Sequence, residues 1–160
     1  MTGKKSQRTF TRVKIDSNIT EIRTEIRAKT FSLCGKVEIV DFSAATGLEK
    51  IGELGFSDCA SLTSVKLSAN TIVLKKWSFL KSLELQTVAF NEMLVEIPNR
   101  AFMQCENLTC VDFTGAVNLT KIGEGAFANC PSLMSLTLAP NVKYIKSRAF
   151  LGCSHLKEVQ

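Results

Sequence analysis

The residues of this chain best suited to chemistry are six cysteines and a single histidine, His155. A thiol can attack as its thiolate, ligate a metal or pair in a disulfide, and each use needs company. Nucleophilic work needs a base beside the thiol, and a zinc site needs further Cys or His ligands. Five of the cysteines, Cys34, Cys59, Cys105, Cys130 and Cys153, stand more than 20 residues from one another, each three places after a phenylalanine. No Cys-x-x-Cys pair and no local Cys/His cluster results. The sixth, Cys110, sits beside Val111 and Asp112 in a strand-like stretch that directs it away from the interior, which makes it the reactive thiol of the set. Its possible base, His155, lies two repeats away on a polar column shared with Ser61, Asn107 and Ser132. Clustered carboxylates for acid/base work and a glycine-rich phosphate cradle are also missing. The expectation is therefore no catalytic residues, no metal and no cofactor, with most thiols acting as small buried hydrophobes. Unpaired thiols suit a reducing compartment, although exclusion of solvent would protect them equally outside the cell.

The spacing of those cysteines says more than their chemistry. Phe31, Phe56, Phe79, Phe102, Phe127 and Phe150 follow one another at intervals of 25, 23, 23, 25 and 23 residues, and Ser82 fills the one place where the cysteine is lacking. A period this regular predicts one supersecondary unit stacked on itself. After each Cys or Ser comes the pattern Leu-x-x-Val-x-Leu/Phe, as in Leu108, Val111 and Phe113. Such alternation predicts one short strand per repeat with one buried face. Five residues before each Phe runs a second apolar column, Ile26, Ile51, Leu74, Ile97, Ile122 and Ile145. Three places earlier stand Leu48, Leu94, Leu119 and Val142, with Ile72 displaced by one place in the third repeat. The Gly, Lys, Glu and Asn residues between this column and the Phe predict tight turns and one short helical turn. At the N-terminal end Phe10, Val13 and Ile15 match the strand pattern, with an insertion and a longer helical turn expected within Arg23 to Lys29. One repeat cannot enclose its own apolar side chains, whereas neighbours bury each other's, at roughly 1.5 to 3 kcal/mol for each fully buried residue. The fold class expected is a β-rich α/β solenoid, a curved parallel sheet of about six to seven short strands with turns opposite.

The stretch Ile122-Gly-Glu-Gly-Ala-Phe127-Ala-Asn-Cys130-Pro-Ser-Leu133-Met-Ser-Leu136-Thr-Leu138-Ala-Pro140 resembles the BspA-like class of leucine-rich repeats, whose hallmark is Ile-Gly-x-x-Ala-Phe-x-x-Cys-x-x-Leu-x-x-Ile-x-Leu-Pro. The resemblance covers residues 22–160, with residues 1–21 forming a basic segment and a divergent first repeat. It implies a noncatalytic protein-binding module of the kind found on the surfaces of bacteria and of parasitic or commensal protists, where it adheres to host proteins or other cells. An intracellular scaffold or regulatory repeat protein is the alternative.

A module of this kind must act through its exterior. The sheet's open face is expected to carry Asp41, Lys66, Thr87, Cys110, Asp112 and Thr137, small or polar residues of mixed sign. The irregular third repeat offers Trp77 beside Lys75 and Lys76, in a column shared with Lys29, Leu54, Arg100, Gly125 and Arg148. An exposed Trp among lysines is a candidate hot spot, and the broken basic stripe suits acidic partners. The net charge of +5 gathers at the N-terminal end, since residues 1–36 hold nine Lys or Arg against three acids and residues 37–160 hold eleven against twelve. Lys4, Lys5, Arg8, Arg12 and Lys14 lack the aromatic or glycine interleaving of a nucleic-acid binder, so no nucleic acid is expected. A salt-sensitive hold on an anionic membrane or nucleic acid is the third-ranked use of that end. No apolar run reaches the roughly 18 to 20 residues of a membrane span, and Met1 to Phe10 is not a signal peptide. Asn18, Asn107 and Asn118 each begin an Asn-x-Thr sequon. Because Gln160 follows Val159 in mid-strand with no polar cap, the expectation is a truncated repeat array, or self-association through that C-terminal edge.

Overall fold

The structure, a computed structural model, describes residues 12–14 and 25–159. Two kinds of strand alternate along it. The first kind comprises β1 (Arg12–Lys14), β3 (Ile39–Asp41), β5 (Ser64–Lys66), β7 (Thr87–Ala89), β9 (Cys110–Asp112), β11 (Ser135–Thr137) and β13 (Glu158–Val159). The second comprises the two-residue strands β2 (Glu25–Ile26), β4 (Lys50–Ile51), β6 (Val73–Leu74), β8 (Glu96–Ile97), β10 (Lys121–Ile122) and β12 (Tyr144–Ile145). Each coil supplies one strand of each kind and then a turn bearing its Phe. All ladders are parallel and keep the sequence columns in register, with Val13 opposite Val40, Val40 opposite Val65 and Val111 opposite Leu136.

The interior is a set of side-chain ladders. Phe56, Phe79, Phe102 and Phe127 are fully buried, and the rings from Phe31 to Phe150 stack at 4.9–5.5 Å with interplanar angles of 2–9°. Phe42, Phe90 and Phe113 form a second layer tilted against the first. The stacking distance equals the coil repeat, so coil pitch and ring packing support each other. Leu62, Leu85, Leu108 and Leu133 complete the core.

The turn side departs from the helical turn expected from sequence, because no described residue is helical. Residues two places before and two places after each Phe take φ of about +55 to +78°, for example Leu54 and Asp58 around Phe56. A left-handed residue at those places stops a helix and rotates alternate N–H groups onto the next coil. Phe56 N donates to Ser78 O at 2.7 Å and Asp58 N to Leu80 O at 2.8 Å, and the same bonds recur coil after coil. A helix would instead turn these N–H groups back onto its own carbonyls.

Two details of register also correct the sequence reading. Glu25–Ile26 is a strand opposite Lys50–Ile51, not part of a helical turn, and Phe31 follows Ile26 by the same five places as Phe56 follows Ile51. The extra residues of the first repeat therefore lie between Lys14 and Glu25, outside the described residues. In the third repeat the interior place belongs to Thr71, fully buried with its Oγ1 donating to Leu48 O at 3.2 Å, while Ile72 is 40% exposed.

Both sheets break at the same level. The pairing runs β1-β3-β5-β7 and β9-β11-β13 on one side, and β2-β4-β6 and β8-β10-β12 on the other, all in separate sheets. Elsewhere the residue after the short strand donates across the gap, as Lys75 N does to Ile51 O at 2.9 Å and Gly123 N to Ile97 O at 2.7 Å. Pro98 holds that place in the fourth coil, and without an N–H it cannot make the bond to Leu74 O. The turn ladder continues across this seam, with Phe79 N on Ala101 O at 2.8 Å.

Candidate functional site

The thiols are structural donors. Cys59, Cys105, Cys130 and Cys153 each direct Sγ at the Phe carbonyl of the preceding coil, over 3.1–3.3 Å, and Ser82 does the same through Oγ at 2.9 Å. The recurring Cys is thus a small side chain that fills the core and caps a carbonyl. Burial pushes the Cys59 thiol up to about 12 and raises Cys105 further. Cys130 is raised by the neighbouring Cys153 thiol and by burial. The same pairing of thiols lowers Cys153, which is half-buried. Cys110 is exposed on β9, with no His near it. His155 instead rests Nδ1 2.6 Å from Pro131 O. No group of three or more His, Cys, Asp and Glu side chains converges among the described residues. No described helix is long and apolar enough to cross a membrane.

The sequence-predicted contact residues fall on two separate sides. Asp41 and Lys66 stand opposite each other on β3 and β5, Asp112 and Thr137 on β9 and β11. Thr87 is exposed and its Oγ1 lies 3.2 Å from Ser64 Oγ, while the Asp112 carboxylate accepts from Thr114 N at 2.8 Å. Cys110 and Asp112 sit across the sheet break from Thr87, so this face is divided between β7 and β9. It presents mostly short side chains. The two sequons Asn107 and Asn118 spend their amides on the fold, on Glu84 Oε2 at 3.0 Å and Glu92 O at 2.9 Å. Asn18 lies outside the described residues, as do Lys4, Lys5 and Arg8.

Trp77, Lys75 and Lys76 lie away from that face. Trp77 is half-buried, at a φ of +60° that bulky residues seldom adopt, and Lys76 Nζ sits 4.5 Å from its ring centroid. Lys76 also reaches Glu53 at 3.6 Å. Lys75 and Lys76 line a hollow of about 370 Å³ over the seam, with Ile72, Val95 and Pro98. Trp77 walls one end of a larger trough of about 460 Å³ that runs across the turns to Arg148 and Leu151. Its floor is Leu80, Met103 and Ala128, and its charged rim is Lys81, Arg100, Glu124 and Arg148. Sequence reasoning placed Arg100 and Arg148 in Trp77's column and missed the trough itself. The signal lay in the residues just after each Phe, which change from Ser32 and Ser57 to Leu80, Met103, Ala128 and Leu151.

Comparison with known proteins agrees with this architecture. A family model described as a BspA type leucine rich repeat region matches in six copies over residues 24–157. The chain is similar to the crystal structure of a T. pallidum leucine rich repeat protein (TM-score 0.84, 26% identity, covering 93% of this chain and 68% of that one). It is also similar to a leucine rich cell surface protein from Faecalibacterium prausnitzii (TM-score 0.72, 26% identity, 78% of this chain and 32% of that one). The pneumococcal vaccine antigen PcpA shares the fold (TM-score 0.65, 18% identity, 76% of this chain and 29% of that one). The chain thus spans about a third of the latter two proteins. No curated protein sequence matches it.

Proposed function

This chain belongs to the BspA-type leucine-rich repeat family, and on that premise we propose that it is a noncatalytic protein-binding module of a cell-surface adhesin. Repeats of this family generally mediate protein interactions. The observation that carries the reading is where the chain varies. Apart from Thr71, Ser78 and Ser82 in the third coil, the interior columns repeat one set of apolar residues, and the other differences between coils include Trp77, Arg100, Gly125 and Arg148 on the outside. A solenoid so filled offers a long exterior for docking. The lone exposed thiol and the distant His155 support binding over turnover, and the F. prausnitzii relative is a cell surface protein. The test is retention of beads coated with the chain on epithelial monolayers. Saturable retention, competed by soluble chain and lost after the monolayer's surface proteins are trypsinised, is expected; retention no better than albumin-coated beads would refute adhesion.

The second reading, an intracellular scaffold, is favoured by the thiols, which are all unpaired. Protease applied to intact cells separates the two. Cleavage of the chain from outside supports the adhesin, and protection supports the scaffold.

A further inference from the structure

We propose that the trough on the turn side docks an extended acidic segment of the partner protein, which inserts one apolar side chain between two carboxylates. This deepens the adhesive reading and rests on it. The place two before each Phe carries Lys29, Leu54, Trp77, Arg100 and Arg148 and loses its side chain only at Gly125. Ala128 stands beside it where neighbouring coils have Met103 and Leu151. The trough to which this gap belongs, about 460 Å³ in all, is apolar below and basic at the rim. Three cations, Lys81, Arg100 and Arg148, face one carboxylate, Glu124, and Arg100 already holds Glu124 at 3.3 Å. Arg148 has no ion-pair partner among the described residues, so the rim keeps an uncompensated positive field that an acidic segment would answer. Trp77 closes the far end with a rigid aromatic wall of the kind that anchors interfaces.

The dimensions set the motif. Arg100 and Arg148 are two coils apart, which the ring spacings of 5.2 and 5.5 Å put at about 10.7 Å along the axis. An extended chain rises about 3.3 Å per residue and sends side chains i, i+2 and i+4 to one side. An acid-x-apolar-x-acid segment therefore spans about 13 Å, within reach of two long guanidinium side chains. Its middle residue then lies over Gly125.

The probe is an end-blocked peptide with the core Glu-Ser-Leu-Ser-Glu, followed through the emission of Trp77, the chain's one tryptophan. A saturable shift is expected, weakened at least tenfold by Arg148→Glu and by Gly125→Gln. The second variant adds no charge and fills the trough at a place where Arg100 and Arg148 already hold φ of +56 and +59°, and the Cβ would meet Arg100 Cγ at 3.4 Å, an ordinary contact. Unchanged affinity in both variants would overturn the assignment, as would equal binding of the Lys-for-Glu peptide, or binding of heparin with the acidic peptide inert. Wild-type retention of Gly125→Gln beads on monolayers would also overturn it while leaving adhesion standing. Peptide binding without any cell retention would support the trough and remove the adhesive reading.

Discussion

Around Phe127 every interior place is apolar or a thiol: Ile122, Ala126, Cys130, Leu133 and Leu136 are all buried, and β10 and β11 are paired on both edges. Around Phe79 the same places hold Leu74, Ser78, Ser82, Leu85 and a half-exposed Val88, with β6 and β7 each paired on one edge only. The two rings nonetheless occupy the same ladder, at 5.1 and 5.2 Å from Phe102. Stacked rings and the turn-side hydrogen bonds thus hold the register where strand pairing fails. The irregular coil spends that tolerance on polar interior residues and on Trp77, while the regular coil spends its one vacancy, Gly125, on the surface.

The largest effect that could break this comparison comes from deleting a ring. Phe127→Ala and Phe79→Ala should each cost about 3–5 kcal/mol, with Phe127→Ala the costlier of the two in urea unfolding. Beside Phe79 the strands paired on one edge only can settle into the cavity, which lowers the cost, whereas β10 and β11 are held on both sides. Equal costs, or the reverse order, would mean that the seam is as rigid as the rest.

Much of this was legible in the sequence because packing columns repeat. The Phe, Ile, Leu and Val ladders could be read from spacing alone, since a solenoid core demands the same residue type at the same place in every coil. The turn conformation could not. A run such as Gly-Glu-Gly-Ala-Phe127 has composition compatible with a helical turn, and only the demand that alternate N–H groups reach the next coil forces left-handed φ onto residues such as Arg100 and Asn129. Ile72 misled for a related reason. Apolar character outranks Thr in a pattern, but the hydroxyl of Thr71 finds Leu48 O and can enter the core. The trough was hidden because it is made by what Gly125 and Ala128 lack.

A second effect tests the thiol ladder against its one gap. Thiols of the unfolded chain ionise from about pH 9, while burial holds native Cys59 neutral to about 12 and Cys105 higher. The native state keeps protons that the unfolded state has shed, so the stabilisation is complete below pH 9 and is lost as pH rises toward the native values. Each such thiol should contribute a loss of about 1.4 kcal/mol per pH unit in that window. Cys105→Ser reproduces in the fourth coil what Ser82 does in the third and should remove one such share. Urea midpoints at pH 8 and pH 10 measure it, and an unchanged slope in the variant would show that Cys105 ionises as freely when folded.

A third effect exchanges the two coils directly. Ser78 and Ala126 occupy the same place before the ring, and the buried Ser78 Oγ has no hydrogen-bond partner. An orphaned hydroxyl keeps its desolvation cost without the return of a bond, so Ser78→Ala should stabilise the chain by about 1 kcal/mol. Ala126→Ser brings the same hydroxyl into a coil paired on both edges and should destabilise by about 1–3 kcal/mol. The opposite signs matter more than the sizes. If Ser78→Ala instead destabilises, the hydroxyl has a bonding partner in solution, and the third coil's interior is better satisfied than its packing implies.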